Sequence, residues 1–463
     1  MKQPPQWIDN YERPIPEAAP FRRFSFVIFL LRYPIFILAF GPPMFRTEGI
    51  DATKGKLDLW SFLQVGLLSA IAVRAIWRLV AAESVFLPKQ IRSVLRWAFL
   101  LGFLYLASTE YSPSHFVSGA YSIINLVTVL CAAEFVVDAY RNPPEWIQCL
   151  FYLRRIALLL FALDLFVLPI NSKLVVGIVE GAGIRFSGGL IGPVPLICPV
   201  IAIISAFSFL YFLESRARSA FFFVVGLAGS LVYQSRGCDI ALFLSLFILI
   251  FHWSKSSRRA LYHFIPGFIA FILLSVVVVG AAGGGRIWSR FNRGQSAEGI
   301  ASASGRTEIW KFVIHYCMNH PQGMGYVAGF RMNFREYSSV GLQVETNNIG
   351  NAHNAYMQVL ADAGWLALVV YLIMLSKILW LAWRFRRRRF YRRYAPEHES
   401  IIALECSVIL LFYLLVECMD TSGFSVPLST TSYWYYIIIS IILGISARMI
   451  AILRAQTGNK LIL

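Results

Sequence analysis

The chain is dominated by long, unbroken runs of apolar residues, each about twenty residues in length. Wound as a helix, such a run matches the thickness of the hydrocarbon core of a bilayer. A helix also satisfies its own backbone hydrogen bonds, which lipid cannot do. The runs lack the short apolar–polar alternation that is typical of half-buried strands. They therefore predict an all-α polytopic membrane protein.

The composition supports this class and bears on the partners. Of the 463 residues, 57% are hydrophobic and only 14% are charged, so a soluble fold could not bury the apolar surface. The formal net charge of +17 would also suit a nucleic-acid-binding protein. Basic loops held beside anionic lipid on the cytoplasmic side explain it more simply. We expect membrane lipid as a partner and no nucleic acid.

The apolar runs and their polar breaks predict about twelve spans. The predicted spans are 25–41, 59–82, 94–111, 116–138, 150–170, 189–213, 219–235, 237–253, 261–282, 355–380, 401–420 and 432–453. They divide the chain into a tail (1–24), a bundle of about nine spans (25–282), a large polar insertion (283–354), a second bundle of about three spans (355–453) with a basic loop (381–400), and a second tail (454–463).

Lysine and arginine predict the orientation. The sequence RFRRRRFYRR at 384–393 should lie in the cytoplasm, because basic loops stay on that side. Counting spans from it places the other short basic loops on the same side, including Arg154 and Arg155. Both tails are then cytoplasmic. The insertion 283–354 becomes a large external loop, longer than most helix–helix connections.

The insertion is basic, which an anionic ligand would explain. Its segment GRTEIWKFVIHYCMN at 305–319 places apolar residues at helical spacing, with Ser304 as the expected N-cap and Pro321 as the end. Arg306 falls in the first turn, where free backbone N–H groups favour an anion. A guanidinium there could bind phosphate, or it could be a solvated surface arginine.

Two more residues are candidates because they lie at the same side of the membrane. His353 precedes the span 355–380, and histidine near neutral pH can accept a proton from a hydroxyl. Its alternative is a structural role. Arg236 lies in a very short connection, where a fixed charge at the membrane edge is costly unless it is used. Its alternative is a contact with lipid phosphate.

Metal and cofactor chemistry has no sequence support. The external segments contain no D-x-D or D-x-E pair that would hold a metal–diphosphate complex. Phosphate-binding and dinucleotide-binding glycine motifs are also missing from suitable positions. Scattered carboxylates in or beside spans are expected mostly to pair with arginines: Glu110, Glu134, Asp164, Glu417 and Asp420. We expect no cofactor and no metal.

Three ordered motifs give the chain its resemblance to a known family. In chain order they are Ser235-Arg236-Gly237; Ser304-Gly305-Arg306 with Trp310, His320-Pro321 and Gly323-Met324-Gly325; and His353-Asn354 followed, after nine residues, by Gly364. This set, within about 230–380, resembles the O-antigen ligases and related surface-polysaccharide polymerases. The pattern departs at Ala367, where relatives often have glycine, and at Ile240, where they have leucine.

The resemblance implies a GT-C-like, metal-independent membrane glycosyltransferase in a bacterial inner membrane, with 283–354 as a large helical periplasmic loop. Its donor would be a glycan on undecaprenyl diphosphate, and its acceptor another glycan or the lipid A core. His353 would act as base, while Arg236 and Arg306 would neutralise the diphosphate. Further substrate-binding candidates, of which the first three could equally be a solvated linker, are Arg286, Arg290, Arg293, Asn354 and Trp310. Other polysaccharide export proteins are candidate partners.

Several alternatives stay open at this point. The same machinery could serve a polymerase, a ligase or a protein O-oligosaccharyltransferase. A polysaccharide transporter or lipid flippase would also suit about twelve spans, and the proline-rich GPVPLICP at 192–199 could be a broken transport helix. A transporter predicts an internal repeat, which the sequence does not show clearly.

Overall fold

The structure is a computed structural model that describes the chain in separate stretches. The described residues are 59–80, 87–141, 150–152, 154–155, 157–159, 161–162, 166, 176–179, 183–186, 194–211, 213, 215–233, 236–254, 306–339, 352–384, 397–418 and 430–457. The predicted spans 25–41 and 261–282 lie outside them. The proposed boundaries of the insertion and of both tails therefore stay predictions.

The described part is almost entirely helical. Before the insertion its helices are α1 (Leu59–Val80), α2 (Lys89–Ala107, extended by a 3₁₀ turn at Ser108–Tyr111), α3 (His115–Arg141), α4 (Val194–Leu210), α5 (Arg216–Tyr233) and α6 (Arg236–Ser254). Within and after the insertion they are α7 (Arg306–Asn319), α8 (Ala328–Ser339), α9 (Ala355–Arg384), α10 (Glu397–Glu417) and α11 (Thr430–Thr457). Each coincides with a run or segment that the sequence predicts as helical, apart from α8.

Four of the described helical segments are long and apolar enough to cross a membrane. They are Lys89–Tyr111, His115–Arg141, Ala355–Trp383 and Tyr433–Ala451. Shorter apolar helices cover Phe62–Trp77, Cys198–Leu210 and Gly237–Ile250. These segments support a membrane protein, while the total of about twelve spans stays a prediction.

Helix α11 is the centre of the bundle. Within its apolar segment 89% of the residues are buried, against 39% for the corresponding segment of α2. It packs against α3, α9 and α10. Ser440 on α11 donates a hydrogen bond to the carbonyl of Ala132 on α3 (3.3 Å), a polar link of the kind that joins helices in membranes.

The outer helices turn large apolar side chains away from the bundle. Phe62 and Trp77 on α1 are each 71% exposed, and Trp383 on α9 is 60% exposed. Contiguous apolar surface of this kind marks contact with another phase or partner. Lipid is the phase that the length of these helices suits.

Two local features of the structure were not predicted from the sequence. A short antiparallel hairpin pairs Val176–Val179 with Gly183–Phe186, in a stretch where no strand was predicted. Arg154, expected on the cytoplasmic side at the beginning of the predicted span 150–170, is fully buried. Its guanidinium lies over the rings of Phe222 (4.4 Å) and Phe151 (5.3 Å), where cation–π attraction offsets part of its desolvation.

At one end of the bundle, the insertion and the ends of several helices contact one another. The beginning of α9 contacts the end of α10, because Asn354 Nδ2 donates to the carbonyl of Cys418 (2.9 Å). The insertion contacts the beginning of α3, because Ser118 Oγ donates to the carbonyl of Tyr326 (2.7 Å). Span counting assigns all of these points to one side, so the contacts agree with the predicted alternation. That this side is periplasmic remains a prediction.

Candidate functional site

The first insertion helix, α7, packs against the beginning of α9. Its buried residues are Ile309, Phe312, Val313 and Cys317, four of the five apolar positions that the sequence predicts for that face. They form a cluster with Phe334 of α8 and with Leu360 and Ala361 of α9. The insertion is therefore joined to the bundle by a core of its own.

Helix α9 is broken inside its apolar segment. Ala363 (φ −141°) and Gly364 (φ +77°, ψ −171°) leave the helical conformation. A break interrupts the i to i−4 hydrogen bonds, and unpaired backbone groups are costly in a membrane. The backbone of Ala361, Asp362 and Trp365 must therefore find partners outside the helix.

The loop after α7 supplies those partners. The N–H of Met324 donates to the carbonyl of Ala361 (2.7 Å), and the N–H of Gly325 donates to that of Asp362 (3.1 Å). In return, the N–H of Trp365 donates to the carbonyl of Pro321 (3.1 Å). We call Pro321–Gly325 the clasp loop. Its backbone groups form hydrogen bonds with the backbone groups that the break in α9 leaves without partners inside the helix.

The glycines of two sequence motifs meet at this contact. Gly323 has φ +86°, and a Cβ placed on it would lie 2.7 Å from the backbone nitrogen of Gly364. A Cβ on Gly364 would lie 1.9 Å from the carbonyl oxygen of Pro321. The predicted turn at Gly323 and Gly325 is confirmed. In the structure, this turn brings the backbone of the clasp loop into contact with the backbone of α9 at Gly364.

Tyr326 fastens the other side of the clasp loop to α2 and α3. Its ring stacks on that of Tyr105 at 4.1 Å between centroids. Its hydroxyl accepts a hydrogen bond from Asn125 Nδ2 (3.0 Å). Burial raises the pKa of Tyr326 well above its usual value, with smaller contributions from neighbouring groups, so this phenol stays protonated and serves the packing.

His353 lies between two anchored peptides. Its backbone is in the left-handed region (φ +49°) and its side chain is half-buried. On its N-terminal side, the carbonyl of Ala352 accepts a hydrogen bond from Trp310 Nε1 (3.0 Å), and the N–H of Ala352 donates to Gln358 Oε1 (2.8 Å). The backbone that carries the imidazole is thus held from α7 and from α9.

Asn354 anchors the C-terminal side of His353. Its Oδ1 accepts hydrogen bonds from the N–H groups of Tyr356 (2.9 Å) and Met357 (3.0 Å), which caps the beginning of α9. Its Nδ2 donates to Cys418 at the end of α10. Both ends of this amide are occupied. Asn354 and Trp310 were predicted to bind substrate, and in the structure their polar atoms hold the His353 segment.

Arg306 is brought close to that segment. It is the first residue of α7, as predicted, and is half-buried. Trp310 follows one turn later, and residues four apart lie on the same helix face. Because Trp310 bonds to the carbonyl of Ala352, the beginning of α7 lies near the backbone of His353.

Arg236 begins α6 at the same end of the bundle. Helix α6 packs against α10, and Cys238 lies near Tyr413. The beginning of α6 is therefore beside the last turns of α10, whose end carries Cys418. The remaining cationic candidates, Arg286, Arg290 and Arg293, lie outside the described residues.

The carboxylates divide between ion pairing and other roles. Glu134 pairs with Arg74 as expected for such groups (3.4 Å). Glu417 instead accepts a hydrogen bond from the hydroxyl of Tyr371 (2.8 Å). Asp164 and Asp420 lie outside the described residues. Among the residues that the structure does describe, no three His, Cys, Asp or Glu side chains are grouped as metal ligands would be.

Sequence reasoning missed Gln358 and Asp362, both buried near the beginning of α9. Asp362 Oδ1 accepts hydrogen bonds from Gln358 Nε2 (2.8 Å) and from the N–H of Val327 (3.2 Å). A signal was present, because an ionisable residue inside an apolar run usually has a specific role. Its spacing of four from Gln358 also predicts a contact on one helix face.

Comparison with known protein families gives a match in the region that contains this site. The family model described as O-antigen ligase matches residues 221–372. No curated protein sequence matches the chain. The matched stretch includes Arg236, α7, the clasp loop and His353, so it contains all three motifs that carry the resemblance. The chain therefore carries a domain of the O-antigen ligase family at residues 221–372, in a membrane protein.

Proposed function

We propose that this protein transfers a glycan from undecaprenyl diphosphate to a sugar hydroxyl at the periplasmic face of the bacterial inner membrane. The family match supports a membrane enzyme of the O-antigen ligase type. The single observation that carries the proposal further is the hydrogen bond from Trp310 to Ala352. It joins the helix that begins with Arg306 to the peptide that precedes His353.

His353 is the proposed base. It removes the proton of the acceptor hydroxyl as that oxygen attacks C1 of the donor sugar. The new bond forms between C1 and the acceptor oxygen, and the bond between C1 and the diphosphate oxygen breaks. Attack from the face opposite the leaving group inverts the anomeric centre. The proton passes from the imidazole to solvent after the product leaves.

Arg236 and Arg306 are proposed to stabilise the leaving group. The diphosphate gains negative charge as its bond to C1 breaks, and guanidinium groups are suited to phosphate oxygens by charge and shape. Contacts that strengthen as charge develops lower the barrier more than they tighten substrate binding. Because the lipid diphosphate is already an activated leaving group, the proposed reaction requires no metal.

The chemical nature of the acceptor distinguishes the three activities that an enzyme of this type could have. Another repeat unit would make the protein a polymerase, the lipid A core a ligase, and a serine side chain a protein O-oligosaccharyltransferase. We favour polymerase or polysaccharide ligase. The transporter alternative rested on a broken helix at 192–199, but in the structure α4 begins at Val194 and continues through Pro199.

The proposal is tested by complementing a deletion strain with His353→Ala, Arg236→Ala or Arg306→Ala. The matched controls are His315→Ala and Lys311→Ala, because both residues are exposed on α7. We expect the three site variants to reach the membrane at normal levels and to lose long surface glycan, while both controls retain it. Normal polymer from the His353 variant would overturn the proposal.

The same strains identify the acceptor. Loss of long polymer with a single repeat still attached to the surface indicates a polymerase. Accumulation of polymer on the lipid carrier indicates a ligase. Loss of glycan from a secreted protein alone indicates a protein O-oligosaccharyltransferase.

A further inference from the structure

His353 has a backbone conformation that its surroundings must hold. A non-glycine residue at φ +49° is in the sparsely populated left-handed region. Such conformations persist only when neighbouring contacts over-determine them. Asn354 holds the following peptide through the cap of α9. The preceding peptide is held by Trp310 at its carbonyl and by Gln358 at the N–H of Ala352.

Gln358 can hold that N–H in only one orientation of its amide. Its Oε1 accepts from the N–H of Ala352 and its Nε2 donates to Asp362 Oδ1, both at 2.8 Å. If the amide were flipped, an NH₂ group would face the N–H of Ala352, and two donors cannot pair. The group that faces the other end of the amide must therefore disfavour the flipped orientation.

Asp362 provides that selection. Its Oδ1 accepts the N–H of Val327, so this oxygen is an acceptor toward Gln358 as well; it pairs with the NH₂ group of the amide and disfavours the flipped amide. Asp362 is fully buried and Gln358 is 3% exposed, so water does not compete strongly for either group. Asp362 is itself held by the N–H of Val327, just after the clasp loop.

We propose that Gln358 and Asp362 are positioning residues for His353. Asp362 orients the amide of Gln358, and the amide holds the peptide of Ala352 so that the next residue keeps its left-handed backbone. This inference rests on the proposed role of His353 as base. Neither residue contacts the substrate in this scheme, and both act through the backbone that carries the imidazole.

The scheme predicts which kinetic parameter changes. Losing the anchor misplaces the base and leaves the diphosphate contacts of the arginines intact. A small displacement of a reacting group can cost about 100-fold in rate. We therefore expect Gln358→Leu to lower kcat by about 10- to 100-fold and to leave the KM for the lipid-linked donor nearly unchanged.

A pair of substitutions separates positioning from general packing. Gln358→Glu should lower kcat, because it removes the NH₂ donor to Asp362 and two buried carboxyl groups can pair only by sharing a proton. Asp362→Asn should retain most activity, since its Oδ1 can still accept from Gln358 and Val327. Combining Gln358→Glu with Asp362→Asn should not recover activity, because the atom of residue 362 that faces residue 358 also faces the N–H of Val327 and therefore cannot be a donor.

The experiment measures kcat and KM for purified variants with lipid-linked glycan extracted from the deletion strain as donor. Gln64→Leu is the matched control, since Gln64 is a buried glutamine on α1, and it should leave kcat unchanged. A folded Gln358→Leu variant with wild-type kcat would overturn the inference. So would an Asp362→Asn variant as slow as Gln358→Leu. Activity in His353→Ala would instead overturn the proposed function itself.

Discussion

The carbonyl oxygen of Pro321 occupies the place that a side chain on Gly364 would need. A Cβ on Gly364 would come within 1.9 Å of that oxygen, and the same oxygen accepts the N–H of Trp365 at 3.1 Å. The insertion and the span α9 are thus joined by backbone atoms at a position that only glycine permits. In this chain, the contact brings together the glycines of the P-x-G-x-G and H-N-x9-G motifs.

Gly364→Ala is expected to prevent stable folding of the insertion onto α9. The backbone strain alone costs about 1–3 kcal/mol, and the overlap with Pro321 adds to it. Gly66→Ala is the control, since nothing lies within 4 Å of a Cβ there and alanine favours a helix interior. Thermal unfolding in detergent should show a clear loss of stability for the first variant and none for the second. Equal stability of the two would contradict the clasp contact.

Trp310→Phe is expected to slow transfer without unfolding the protein. It removes one hydrogen bond to Ala352, worth about 0.5–1.5 kcal/mol, which corresponds to roughly a 2- to 10-fold change. Trp365→Phe removes a comparable bond between α9 and α7, to the carbonyl of Cys317 at 3.1 Å, away from His353. Rates measured at saturating donor should fall for the first variant and stay normal for the second. The opposite order would argue against anchoring by Trp310.

Asn354 has two separable tasks. Asn354→Ser should keep most of the helix cap but lose the bond to Cys418, whereas Asn354→Ala loses both. We expect the serine variant to be more stable by about 1 kcal/mol, as measured by thermal unfolding. Both should lose transfer to a similar extent, because both release the beginning of α9 from α10. Full activity in the serine variant would show that the contact with Cys418 does not matter for the reaction.

Cysteine labelling tests both burial and sidedness. Burial, with a smaller effect of Asp362, raises the pKa of the Cys317 thiol to about 12, so the thiol stays protonated and unreactive when the pH is raised from about 7 to about 9. His315→Cys on the exposed face of the same helix should react. A membrane-impermeant maleimide should label that variant on intact spheroplasts beyond the wild-type level. Labelling only after permeabilisation would place the insertion in the cytoplasm.

The sequence was a good guide to the helices. Twenty-residue apolar runs leave a membrane segment little choice, because lipid offers no partners to an open backbone. Hence α2, α3, α9 and α11 begin or end within a few residues of the predicted spans. The break at Gly364 was invisible to this reasoning, because its partners come from a loop about forty residues away. The burial of Arg154 was not predicted, because counting charges cannot detect the ring of Phe222.

The sequence was a weaker guide to the site. Residue types and the family motifs pointed to Arg306 and His353, and both lie in the matched domain. The same reasoning predicts that Trp310 and Asn354 bind substrate; it did not predict their hydrogen bonds to the backbone around His353, which depend on the fold. Gln358 and Asp362 escaped notice because their role depends on an amide orientation that only a three-dimensional contact reveals.

The most direct measurement follows glycan transfer by the purified protein in reconstituted vesicles, using lipid-linked glycan as donor and a soluble glycan as acceptor. We expect the wild type and His315→Ala to form an elongated product and release the lipid diphosphate, with EDTA present. His353→Ala should bind the donor and form no product. Undiminished transfer by His353→Ala would contradict the assignment of His353 as the base.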